Sequence, residues 1–170
     1  SKVKIVIFDV NQTIFKLDEI EKRFKRFNLS SYLVENWFLS VLKEGFALSD
    51  KSKFVDFKTI GLNELQKILF SEEIKVEKKT INYLFDGFKN LKAHPEIKNL
   101  FQILKKKNIK IVTLTNGSAK NTENLLKKNL LEKYVTKCFS IDSVKKWKPH
   151  PEPYEMVIKH FNCTPQDAIM

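Results

Sequence analysis

Cysteine is scarce in this 170-residue chain, which holds only Cys138 and Cys163. Two isolated cysteines make neither a disulfide framework nor a metal-ligand pattern. They fit a reducing cytosol, so the expected location is cytoplasmic. Arginine is equally rare. Of 31 basic residues only Arg23 and Arg26 are arginines. Nucleic-acid readers depend on guanidinium forks set among exposed aromatics. Here the lysines are scattered, so the net charge of +11 reads as a solvated surface, and no nucleic-acid partner is expected. That charge can still draw small anions toward a cleft. No apolar run approaches membrane-spanning length, and the N-terminus leads straight into a strand. Neither a membrane partner nor a signal peptide is therefore expected. Internal repeats and low-complexity linkers are missing. His150 and His160 lack a third ligand, so no metal site is expected from them.

What the chain does have begins with Val3, Ile5, Val6, Ile7 and Phe8, a β-branched run that reads as a parallel strand buried on both faces. It ends in Asp9. Open α/β sheets place ligands at that end of a core strand, although Asp is also an ordinary turn former. The period then turns helical to about Leu91. Helices are predicted over Asp18–Phe27, from Ser30 or Ser31 to about Phe46, over Asp56–Phe70 and over Glu77–Leu91, with Leu48–Phe54 as a polar loop. Their aromatic stripes read as the core of a small bundle.

Strand–helix alternation returns at Ala93. A helix is predicted from His94-Pro95-Glu96 to Lys107, with Pro95 in its first turn. A strand over Ile109–Leu114, a helix to Lys128, a strand over Thr136–Ile141 and a helix over Pro153–Phe161 follow. Ala168-Ile169-Met170 reads as the start of a fourth strand. This order predicts an α/β fold with a parallel, three-layer sheet and right-handed crossovers. The helical insertion follows the first strand and is positioned as a lid. A sheet cut after three strands would leave the first strand as a bare apolar edge that invites association. The expectation is a core whose C-terminal part is missing and whose activity is weak or absent, with a homodimer left open.

Three stretches carry chemistry. Leu114-Thr115-Asn116-Gly117-Ser118 is a strand-to-helix turn offering backbone and side-chain donors to an anion, though Ser and Asn also cap ordinary helices. Trp147-Lys148-Pro149 follows a core strand, with a proline fixing the backbone beside the lysine. With Phe8-Asp9-Val10-Asn11-Gln12-Thr13-Ile14, these stretches resemble, in order and spacing, the three motifs of the haloacid dehalogenase-like (HAD) superfamily. The form is similar to its type II 2-haloacid dehalogenases.

The resemblance implies a Rossmann-like core formed by residues 1–14 and 92–170, with a helical cap over 15–91. It implies Asp9 as nucleophile, Thr13 orienting it and Lys148 stabilising charge. Asn11, Thr115 and Asn116 would hold the substrate. Trp37 or Phe38 would line the pocket, and Tyr154 matches a tyrosine near the active site. The implied substrate is a small anion such as an (S)-2-haloacid, with no cofactor. Two departures bear on this. Mg²⁺-dependent phosphatases of the superfamily carry a second Asp where this chain has Asn11, which cannot shuttle a proton. A Mg²⁺-dependent phosphatase and a non-catalytic HAD-fold protein are the alternatives. The dehalogenases also carry a halide-binding arginine early in the cap, and the stretch around Trp37-Phe38 has none. Halide binding then falls to Asn116, to aromatic edges or to another group.

Overall fold

The computed structural model describes residues 3–170. Strands β1 (Ile5–Phe8), β2 (Lys110–Thr115), β3 (Lys137–Ser140) and β4 (Ala168–Ile169) form one parallel sheet in the order β3-β2-β1-β4. Alternate side chains of a strand go to opposite faces, and β1 sends apolar groups both ways. Ile5 and Ile7 join Val112, Leu114, Phe139 and Val157 in one cluster. Phe8 joins Ile111, Phe101 and Leu125 in the other. Helix α7 (Pro151–His160) supplies Val157 to the first, while α5 (Ile97–Lys106) and α6 (Ala119–Lys128) supply the second. Phe101 is fully buried and meets Phe8 edge-on at 5.2 Å. Burying such a ring stabilises by roughly 1.5–3 kcal/mol. The outcome is the three-layer α/β arrangement, with every strand of the sheet leading toward one edge.

Between β1 and α5 lie α1 (Asp18–Lys25), α2 (Tyr32–Asp50), α3 (Phe57–Ser71) and α4 (Lys78–Phe85). Asp56 starts α3 by accepting a hydrogen bond from the Thr59 amide at 2.9 Å, satisfying one of the free N–H groups of the first turn. The aromatic stripes form the interior of this segment. Trp37 is 1% exposed, stacks on Phe24 and touches Phe85 and Phe88. Its indole Nε1–H donates to the Gly61 carbonyl at 2.8 Å. No helix among the described residues is long and apolar enough to cross a membrane.

The elements depart from the sequence reading at four places, each for a tertiary reason. Helix α2 runs on through Asp50, past the start of the expected loop, because Ser49 is fully buried and bonded to the loop before Lys148. Helix α4 stops at Phe85 and tightens into a 3₁₀ turn over Asp86–Lys89. There Gly87 lies so close to Ile20 that a Cβ would sit 2.7 Å from its side chain. Helix α7 begins at Pro151, two residues early, because a proline is well suited to a first helical position. The fourth is α5, which starts at Ile97 and leaves Pro95 in the turn before it, because the His94 amide is held by the Ile14 carbonyl. The expected start of a fourth strand is present, and it corrects the expectation of a bare first strand. β4 pairs with β1 at Ile5 and Val6. Asp167 anchors that pairing, its carbonyl accepting from the Lys4 amide and its carboxylate from the Thr164 amide.

Candidate active site

Asp9 is the first residue past β1 and stands half exposed at the carboxyl edge of the sheet. Its Oδ1 accepts two hydrogen bonds, from the Val10 amide at 2.8 Å and from Lys148 Nζ at 2.8 Å. Among the described residues Oδ2 accepts none, so one carboxylate oxygen is held and the other is presented. The Lys148 side chain is only 10% exposed. A buried ammonium requires acceptors, and the end of β2 supplies a second one, the Leu114 carbonyl, at 2.6 Å. Asn116 holds the same residue by its backbone, its Oδ1 accepting from the Lys148 amide at 2.9 Å. The ammonium has three N–H groups, and one is left for a ligand.

The turn after β2 is itself braced. Thr115 Oγ1 accepts from the Gly117 amide at 2.9 Å, and the Ser140 hydroxyl donates to the Gly117 carbonyl at 2.6 Å. The Thr115 hydroxyl proton is thereby free to donate outward. Ser118 caps α6 through the Asn121 amide.

A cavity of about 430 Å³ opens above these groups. It brings together Asp9, Asn11, Phe38, Thr115, Asn116, Lys148 and Tyr154. Burial, and secondarily the charge of Asp9, push the Tyr154 phenol above its ordinary range, so it keeps its proton and can donate. Two expected residues are elsewhere. Trp37 is not a pocket residue, because its ring is enclosed by Phe24, Phe85 and Phe88, while Phe38, one position on, reaches the cavity. Thr13 is exposed, outside the cavity wall, and makes no hydrogen bond to Asp9 among the described residues.

The cavity also contains groups the sequence reading passed over. Leu42, Lys43 and Phe46 of α2, Phe57 at the start of α3, Pro149 and Met170 complete its wall. The signal was present, since Phe38, Leu42 and Phe46 recur at helical spacing on one face. Trp147 was also missed. It is fully buried, and its Nε1–H donates to the Val55 carbonyl at 2.9 Å. Its amide donates to Ser49 Oγ at 3.0 Å, and the neighbouring Lys146 Nζ reaches the Ser49 carbonyl at 2.9 Å. The ring stacks on Phe57 and lies against Gly45, where a Cβ would fall 2.3 Å from it. The loop that carries Lys148 is therefore fastened to α2 and to the entry of α3.

The profile of a family described as haloacid dehalogenase-like hydrolase matches residues 3–170. Haloacetate dehalogenase H-2 of Moraxella sp. (strain B) is 20% identical over 172 residues, covering 99% of this chain and 76% of that protein. Pyrophosphatase PpaX of Bacillus thuringiensis (strain Al Hakam) is 25% identical over 173 residues, covering 99% of this chain and 74% of that protein. The solved L-2-haloacid dehalogenase of Xanthobacter autotrophicus superposes with a TM-score of 0.88 at 19% identity, over 98% of this chain and 68% of that one. At that identity the superposition speaks for the fold alone.

Proposed function

Because this chain belongs to the haloacid dehalogenase-like hydrolases, we propose that it is a hydrolase of the carbon–halogen bond of small 2-haloacids. The observation that carries the reading is the Asp9 carboxylate, with Oδ1 held by Lys148 and the Val10 amide and Oδ2 presented to a cavity walled by Phe38, Leu42, Phe46 and Phe57. Apolar walls around a half-bare carboxylate suit displacement at carbon, since a desolvated nucleophile attacks more readily.

In the proposed sequence the substrate carboxylate lies against the Thr115 hydroxyl, the Asn116 amide and the Lys148 ammonium. Asp9 Oδ2 attacks the halogen-bearing carbon, the new C–O bond forms as the carbon–halogen bond breaks, and halide leaves with the bonding pair. Covalent catalysis of this kind divides one hard substitution into two steps. The departing halide needs a cation, and Lys43 is the one that α2 places on the cavity wall. Water then attacks Cγ of Asp9. The negative charge of the resulting tetrahedral centre falls on Oδ1, where the Val10 N–H and Lys148 are already aimed, as an oxyanion hole requires. Collapse breaks the ester C–O bond and releases the 2-hydroxy acid, regenerates the carboxylate and frees one proton per turnover. Residues 15–91 act as the cap that excludes bulk water, with Phe38, Phe46 and Phe57, and not Trp37, as its aromatic contacts.

The pyrophosphatase relative favours a second reading, a metal-dependent phosphatase. The donor set fits it less well. Asp9 Oδ1 already carries an ammonium, and Asn11 occupies the position where a proton would have to be shuttled. Halide release from (S)-2-chloropropionate and (S)-2-bromopropionate, with and without EDTA, separates the readings. The expected result is EDTA-insensitive release that disappears in Asp9→Asn, a nearly isosteric change that removes the nucleophile. Turnover in ¹⁸O-water should place label in Asp9. Phosphate release that EDTA abolishes, with no halide release, would overturn the dehalogenase reading.

A further inference from the structure

A second cavity, of about 630 Å³, adjoins the one that holds Asp9. The two meet along Asn11, Phe57 and Thr115, which line both. A three-carbon haloacid is accommodated beside Asp9 alone. A further space of this size belongs to the range that holds much larger ligands, roughly 300–1,000 Å³. Its floor is apolar, made by Val10, Phe57, Phe85 and Phe88. Its rim is cationic, with five lysines against the two aspartates Asp56 and Asp142.

The lysines are not equivalent. Lys89 pairs with Asp86 at 3.0 Å. Lys128 donates to the Lys89 carbonyl and to Asn90 Oδ1. Lys120 has Glu123 at 3.9 Å. Lys58, at the start of α3, and Lys127, in the last turn of α6, have no ion-pair or hydrogen-bond partner among the described residues. They stand on different elements, one on the helical segment and one beside the sheet, and line the same cavity. Asp56 is committed to the Thr59 amide, so it does not neutralise Lys58 through a direct pair.

We infer that this cavity is a second anion subsite and that the substrate is an elongated acid. One carboxylate lies beside Asp9, an apolar chain or ring passes Phe57, and a second carboxylate or a phosphate reaches Lys58 and Lys127. The inference rests on the function proposed above for the Asp9 end. It deepens that reading by naming the substrate class. The apolar floor suits a hydrocarbon middle, while Asn11 and Thr115 at the junction can meet a polar group near the Asp9 end.

Binding of non-reactive diacids tests it without turnover. Calorimetry on the wild-type chain would compare the α,ω-dicarboxylates from succinate to sebacate with monocarboxylates of the same lengths, and with the matching ω-phosphonocarboxylates to separate carboxylate from phosphate preference. Two linked groups that engage two sites gain strongly only when the linker spans them. The expected result is an affinity optimum at one length, at least about tenfold over the matched monoacid. That gain should vanish in Lys58→Ala/Lys127→Ala while the monoacid affinity stays unchanged. Both lysines are exposed, so the variant should keep the wild-type melting temperature. Affinity that is flat with length, or a gain that survives the double variant, would overturn the subsite. Halide release from 2-bromopropionate, measured in parallel, reports on the Asp9 reading separately. Length-selective binding without halide release keeps the subsite and removes the dehalogenase. Halide release without length selectivity does the opposite.

Discussion

Lys148 binds Asp9 Oδ1 in the resting site and, in the mechanism proposed above, faces the same oxygen as charge builds there. Removing one such donor typically lowers kcat by about 10²–10³. Lys148→Met should do so with the fold retained, and a near-wild-type kcat in steady-state assays would reduce Lys148 to a structural lysine. Asp142 is different. Its carboxyl is pushed above the ordinary range first by burial, then by the charge of Asp56, with Ser140 opposing. A carboxyl whose folded-state affinity for protons is raised contributes stability below the unfolded pKa and loses it as pH rises through the folded one. Asp142 is still partly open to solvent, which screens the effect, so Asp142→Asn should raise the melting temperature only slightly at neutral pH and give no advantage near about pH 3, where both states of the wild-type residue are largely protonated. Thermal scans at both pH values check this, and an equal shift at both would rule out the ionisation of Asp142 as its cause.

Among the elements, the join between α2 and the Lys148 loop is the least expected feature. A lid on a hinge would pivot freely about its two chain connections. Here a third attachment exists, because Trp147 is bonded to Ser49 and Val55 and packed on Gly45. Motion of α2 away from the sheet would carry Trp147 with it and draw Lys148 off Asp9. Gly45→Ala tests the coupling. The added methyl overlaps the indole, and overpacking of this kind destabilises by about 1–3 kcal/mol. The expected variant melts lower and, at temperatures where it is fully folded, has a reduced kcat. Trp147→Phe in the same chain should return part of both by making room. A folded Gly45→Ala protein with unchanged kcat would show that α2 and Lys148 move independently.

The whole molecule carries a net charge of +11, and lysines border both cavities. Such a field raises the encounter rate of anions and is screened over a Debye length of about 8–10 Å near physiological salt. If turnover is limited by substrate capture, kcat/KM for an anionic 2-haloacid should fall as sodium chloride rises, while kcat changes little. A stopped-assay series over ionic strength would show it. A salt-independent kcat/KM would leave the lysines as solubilising groups only. No such dependence is expected for a neutral haloamide competitor, which gives an internal control.

The sequence by itself determined the order of strands and helices, because a buried parallel strand and an amphipathic helix have different apolar periods. Ile5, Ile7 and Phe8 fixed β1, and Ile111, Val112 and Leu114 fixed β2. It also marked Asp9, Thr115 and Asn116, which stand at strand exits where α/β sheets expose their ligands, and Lys148, on the loop that follows β3. Only the tertiary structure decided which aromatic of the Trp37-Phe38 pair faces the cavity. Both lie on the apolar face of α2, and neighbouring residues diverge by about 100° around a helix, so the choice depends on how α1, α3 and α4 pack. It decided the role of Trp147 as well, because a contact to residues about a hundred positions earlier leaves no local periodic mark. It brought Ala168 and Ile169 beside Ile5 and Val6, where a two-residue strand is formed by its neighbour's free backbone groups rather than by its own propensity. Finally, it gathered Lys58, on the helical segment, and Lys127, beside the sheet, around one cavity. Sequence showed these two as scattered charges, because they are brought together by packing across the sheet edge and not by spacing along the chain.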